Sequence, residues 1–214
     1  TRFAMILLLS FLVGYISLSQ EIIWARSISY VTGGKPNDFA YMLGFFLLGS
    51  ALSSLMVKKL SEKEGAKPMI FIATMLSISS VLYYFSLPIC CHLLTRYDIG
   101  LYVFYISVAI TAFFIGGIFP MLCHYGIKSE AAVGFSLSWI YFANILGSTA
   151  GPLFTGFILL NSQTLEQNAL LLSAVTLFIG CIIWMAAPVS IRLKIALVSI
   201  AACACCGFTR CIGS

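Results

Sequence analysis

Apolar residues in this chain come in long unbroken runs, not at alternate positions or in stripes every third and fourth residue. Stretches free of Asp, Glu, Lys and Arg cover residues 3–20, 39–57, 69–91, 99–123, 131–160 and 167–191. A helix needs about 20 mostly apolar residues to cross the hydrocarbon core of a bilayer, and each run meets or approaches that length. A seventh run, residues 195–209, is shorter and spans only if Arg192 and Lys194 extend their head groups to the interface. Strands of a membrane barrel would alternate over about ten residues, which these runs do not. The pattern predicts an all-α fold: a polytopic transmembrane helix bundle with about seven spans, one transmembrane helical domain over residues 1–214, with the lipid bilayer as its surroundings.

Composition strengthens this picture. The chain is 61% hydrophobic and 9% charged, with a mean hydropathy of +1.04, whereas an ordinary soluble domain carries about 25% charged residues. A soluble core of this length cannot hide so much apolar surface. Twelve basic and seven acidic residues give a net charge of +5, too scattered to track phosphates, so nucleic acid is not an expected partner. The basic residues report topology instead. Lys58, Lys59, Lys63 and Lys67 place the loop after the second span in the cytoplasm. Arg2, Lys128, Arg192 and Lys194 then fall on the same side, and Lys35, Arg96 and Arg210 on the other, so the N terminus is expected in the cytoplasm. The first run followed by Ser17-Leu18-Ser19 has the outline of a secretory signal. Because the chain continues as a membrane protein, we read it as a span, and the absence of an initiator Met as a trimmed start.

A few polar residues change the picture further. The first run leads without a turn signal into Gln20-Glu-Ile-Ile-Trp24-Ala-Arg26. Charges at such depth are costly unless they face protein or water. Glu21 and Arg26 stand about 140° apart on a helix, which is not a same-face pair. Two readings stay open: the span ends near Ser19 with Trp24 in an aromatic belt and both charges wet, or Glu21, Trp24 and Arg26 form a buried polar anchor or ligand site.

In the fifth span Ala143, Gly147, Gly151 and Thr155 recur at every fourth position, a smooth ridge for close helix approach. Pro152 frees the carbonyl of Ser148 beside that ridge. Asn144 and Ser148 share a face and suit a hydrogen bond across the interface or the wall of a cavity. We read the ridge as helix packing, although freed backbone groups in broken spans are also where transporters bind ligands. Weaker ridges appear at Ala40 and Gly44, Gly49 and Ser53, and Ala112 and Gly116, and Gly116, Gly117 and Pro120 predict a distorted end to the fourth span. His124 lies just beyond, and with only His92 elsewhere it reads as a solvated or interfacial histidine and not as part of a metal site. Of the eight cysteines, Cys203, Cys205, Cys206 and Cys211 crowd the C-terminal end, but no spacing matches a haem or zinc motif. Cysteine in a membrane helix acts as a small apolar residue. No catalytic, cofactor-binding or metal-binding residue is expected.

Several features occur in an order that resembles the membrane domain of the spermidine synthase-like integral membrane proteins, themselves distantly similar to major facilitator transporters. They are Glu21-x-x-Trp24-x-Arg26, the Leu43 to Leu52 stretch, Gly116-Gly-Ile-Phe-Pro120, and Tyr141-Phe-Ala-Asn144-Ile-Leu-Gly147-Ser-Thr-Ala-Gly151 through Gly156-Phe157. The resemblance extends from about Phe11 to about Pro188. Gln20 stands where that family often has an aromatic, and the 58–67 loop is a degenerate relative of the facilitator loop. The resemblance implies a membrane anchor, a polyamine connection, a synthase-like domain or other membrane subunits as protein partners, and the bacterial inner membrane as location. The chain has no glycine-rich nucleotide loop after a strand and no paired acidic stretch, so an aminopropyltransferase-like domain is not in this chain and the chain is not expected to be an enzyme. The alternatives are a small facilitator-like transporter or a structural subunit of a larger membrane complex. Seven crossings from a cytoplasmic start end outside, so an appended cytoplasmic domain would need an eighth crossing or a re-entrant segment.

Overall fold

A computed structural model describes residues 2–61, 68–96, 100–126 and 133–186. They form α1 (Arg2–Thr32), α2 (Pro36–Ser61), α3 (Pro68–Arg96), α4 (Gly100–Gly116), α5 (Ile118–Gly126), α6 (Val133–Leu153), a π-helical segment (Phe154–Leu159), α7 (Leu160–Ser162) and α8 (Leu165–Ala186), with no strand among the described residues. Six helices are long and apolar enough to cross a membrane: α1, α2, α3, α4 continued by α5, α6 continued to Ser162, and α8. Helices of this length and composition are those of an integral membrane protein. The seventh run at 195–209 and the cysteines of the C-terminal end lie outside the described residues.

The helix ends follow local chemistry. α1 has 31 residues, about 46 Å at 1.5 Å per residue, against a hydrocarbon core of about 30 Å. The helix does not stop at Ser19 but continues through Glu21, Trp24 and Arg26, and it is longer than the apolar layer is thick. Gly33 and Gly34, at φ 71° and 76°, make the reversal into α2 in a backbone region that side chains avoid. Pro36 and Pro68 open α2 and α3, where a missing amide hydrogen costs nothing. α8 starts with a reciprocal cap: the Thr164 amide donates to Gln167 Oε1 at 3.1 Å and the Gln167 amide to Thr164 Oγ1 at 3.3 Å. In the fourth span the helix breaks at Gly117, between α4 and α5.

The bundle is built from helix pairs distant in sequence. α1 lies along α6, α2 along α4, and α3 along both α8 and α4. A Cβ placed on Gly147 would fall on the Phe11 carbonyl oxygen and one on Gly151 on that of Tyr15, while Thr155 bonds Ser19. Partner numbers rise together, so α1 and α6 are parallel. Gly49 meets the Ala109 carbonyl and Ser53 meets Gly117, so α2 and α4 are parallel too. α3 and α8 run oppositely, with Ser80 bonded to the Ser173 carbonyl and Ala73 beside Gly180. These are the directions that successive crossings by the six long apolar helices would require.

The two parallel pairs are one arrangement used twice. A shift of 98 residues carries Gly49 to Gly147 and Phe11 to Ala109, and so carries the contact of Gly147 with Phe11 onto that of Gly49 with Ala109. The same shift matches Gly151 facing Ser19 with Ser53 facing Gly117. It also aligns the buried residues Met42, Gly49, Ser53 and Val57 of α2 with Ile140, Gly147, Gly151 and Thr155. In a chain that crosses at each long helix, units three spans apart run in opposite directions, so α1 with α2 and α4 with α6 form an inverted repeat.

The interior holds two apolar clusters. One, with Leu9, Leu76, Ile118, Ile140 and Trp184, lies toward the N-terminal end of α1. The other, with Trp24, Met42, Tyr83, Phe104 and Tyr105, lies toward its C-terminal end. Large apolar side chains such as Leu47, Leu55, Ile106, Phe142, Ile145 and Phe178 point outward, as a surface solvated by lipid requires.

Candidate functional site

The α1–α6 pair is joined by polar groups along its length. Ser10 Oγ donates to the Ile140 carbonyl at 2.8 Å, and Thr155 Oγ1 donates to Ser19 Oγ at 3.0 Å. A Cβ on Gly14 would stand 2.8 Å from both Asn144 Oδ1 and Ser148 Oγ. The structure thus brings Asn144 and Ser148 together against the glycine of α1. Glu21 follows Gly14 by seven residues, two turns along nearly the same face, and is half-buried.

Trp24 does not join them, nor does it sit in a belt at the rim. Its indole is buried and meets Tyr83 and Phe104 edge-on, with ring centroids 5.7 and 5.0 Å away, a favourable geometry for aromatic quadrupoles. Arg26 lies on the exposed side, its guanidinium 5.1 Å from the centre of the Tyr30 ring, within cation–π reach. Of the ridge residues, Gly147, Gly151 and Thr155 are buried against α1, and Ala143 is half-buried. His124 is exposed and edge-on to Tyr125. Cys90 is buried beside Ser107, at 3.3 Å. Among the described residues no three His, Cys, Asp or Glu side chains come together as a metal site would require.

Two features were not read from the sequence. Gln20 is buried, with its Nε2 lacking a protein partner; the only signal was a polar residue at the end of an apolar run. Asn168 is fully buried, and its Nδ2 faces the carbonyls of Leu159, Gln163 and Thr164 at 3.2, 3.3 and 3.0 Å. This side chain holds the end of the fifth span to the start of α8. The π-helical segment begins two residues after Pro152. Pro152 cannot donate to the Ser148 carbonyl, and the chain re-closes through wider turns, with the Leu160 amide reaching back five residues to the Thr155 carbonyl.

Where α1 ends, α2 begins and this wider segment passes, an open cleft of about 560 Å³ forms, within the size range of small-molecule sites. Arg26, Ser29, Thr32 and Lys35 supply its polar wall, and Ile22, Phe39 and Leu160 an apolar one. No lining residue is acidic. No protein-family model, curated protein or solved structure matches the chain.

Proposed function

We propose that the chain is the membrane domain of a spermidine synthase-like protein, a helix bundle of facilitator-like plan that anchors a catalytic domain or other membrane subunits in the bacterial inner membrane. The observation that supports this reading is what the most distinctive sequence elements are used for. Gly49 and Gly116 sit in the α2–α4 pair, and Asn144, Gly147 and Gly151 in the α1–α6 pair. These residues set helix approach, a structural task suited to a rigid anchor. In this reading the end carrying Lys58 and Lys59 faces the cytoplasm. The cleft lies at the opposite end, and its cationic wall is a poor match for a polyamine.

The test is the intact mass of the native polypeptide, purified from its source membrane with whatever accompanies it. A polypeptide well above 23.3 kDa with an aminopropyltransferase-like extension, or a synthase-like partner that copurifies, supports the anchor. A native protein of about that mass with no such partner overturns it.

A transporter is the second reading, favoured by one observation: the inverted repeat together with the helix break after Pro152, the kind of discontinuity at which transporters hold ligands. Purified protein reconstituted in liposomes should then take up a solute above the protein-free background. No uptake of spermidine or of common organic anions and cations would remove this reading.

A further inference from the structure

We infer that the cleft between the end of α1, the start of α2 and the π-helical segment binds a phosphate-bearing anionic ligand. Its wall carries two cations, Arg26 and Lys35, with the hydroxyl residues Ser29 and Thr32, and has no acidic residue to neutralise them. A guanidinium and an ammonium around one concave surface suit phosphate, which accepts charge-assisted hydrogen bonds from both. Arg26 is held near the cleft by its contact with Tyr30. The N-terminal end of the 26-residue α2 opens at the same place, adding the positive end of a helix dipole. The nearest acid on α2, Asp38, lies outside the wall and accepts a hydrogen bond from Tyr105 Oη at 3.2 Å. Glu21, the acid on α1, is also outside the wall. Ile22, Phe39 and Leu160 continue the cleft as an apolar surface where the glycerol or acyl part of such a ligand would rest.

Position separates this site from an ordinary basic rim. The uncharged run of α1 ends at Gln20 and the helix is longer than the apolar layer is thick, which sets Arg26 and Lys35 at headgroup depth, where an anionic lipid phosphate would meet them. A free phosphate monoester from the aqueous side has the same chemistry. The inference is independent of whether the bundle anchors or transports.

The test compares the full chain in nanodiscs of phosphatidylcholine alone and of phosphatidylcholine with phosphatidylglycerol, and in phosphatidylcholine nanodiscs titrated with glycerol 3-phosphate. Retention is read by native mass spectrometry and stability by thermal melting. Preferential retention of phosphatidylglycerol with a raised Tm identifies a lipid headgroup. A saturable rise in Tm with glycerol 3-phosphate identifies a free phosphate as a source. Arg26→Gln and Lys35→Gln should each weaken retention about tenfold. Lys58→Gln with Lys59→Gln, at the other end of α2, should leave it unchanged. Both cleft residues are exposed, so their variants should fold, and the melt in phosphatidylcholine alone checks this. No response to either phosphate probe overturns the inference. So does an Arg26→Gln/Lys35→Gln double variant that retains the ligand like the parent, or a Lys58/Lys59 variant that loses it to the same extent.

Discussion

The α1–α6 and α2–α4 pairs share a register and differ in chemistry. In both, a glycine admits the opposing carbonyl, at Gly147 on Phe11 and at Gly49 on Ala109. Beyond that contact they diverge. Asn144 corresponds to Phe46 under the 98-residue shift, and the bonded Ser19 and Thr155 correspond to Gly117 and Val57, where a Cβ on the glycine would stand 3.1 Å from valine Cγ2. Ser10, bonded to the Ile140 carbonyl, corresponds to Val108, which lies in the same apolar cluster as Met42. The breaks also fall on opposite partners, in α6 after Pro152 and between α4 and α5 at Gly117. Backbone approach is therefore set by small residues at matched positions, and side-chain chemistry is free to differ. The α1–α6 pair runs on into the cleft at the end of α1 and through the π-helical segment, and α2 joins it there with its first turn.

The strongest test of the shared register is to fill it on both sides. Gly147→Leu and Gly49→Leu should each cost about 3 kcal/mol or more, because the added atoms meet backbone that cannot yield. Gly44→Leu, at an exposed position with nothing within 4 Å of its Cβ, should melt like the parent in detergent. A tolerated Gly49→Leu beside a collapsed Gly147→Leu would break the equivalence. Next in size is Asn168→Ala, which removes a donor facing three carbonyls and should cost about 2 kcal/mol in thermal melts. It should also speed amide exchange around residues 159–164, with no counterpart at the end of α2. The smallest effect sharpens the chemical difference. Thr155→Val should cost about 0.6 kcal/mol. In a double-mutant cycle with Ser19→Ala, most of that cost should vanish, because the pair then resembles its apolar counterpart at Gly117 and Val57.

The sequence shows the helices and one face of one pair. Its unbroken apolar runs indicate spanning helices because hydrocarbon leaves the backbone few other ways to satisfy its polar groups. The four-residue spacing of Gly147, Gly151 and Thr155 signals a surface for close approach. It does not name α1 as the partner, because the other side of the contact is the backbone of Phe11 and Tyr15, which leaves no mark in side-chain identity. The repeat was hidden for the same reason. Leu48-Gly49-Ser50 and Leu146-Gly147-Ser148 match, but most other positions need only be small inside or apolar outside. Trp24 was ambiguous because an indole suits both a membrane rim and an aromatic core, and only the positions of Tyr83 and Phe104 decide. The cleft joins residues more than 100 positions apart, from Ile22 to Asn161, and no local pattern announces it.

The long separation within the α1–α6 pair has a consequence for biogenesis. Ser19 and Thr155 are 136 residues apart, so at roughly 5 to 20 residues per second the ribosome needs on the order of ten seconds to deliver the partner of the first helix. Throughout that interval α1 presents Ser10, Ser19, Gln20 and Glu21 without the surface that will cover its glycine face. The α2–α4 contact from Gly49 to Ala109 closes in under half that distance. The α2–α4 pair can thus assemble first, while the polar face of α1 is covered only when the fifth span arrives, and until then the insertion machinery or the nascent bundle has to shelter it.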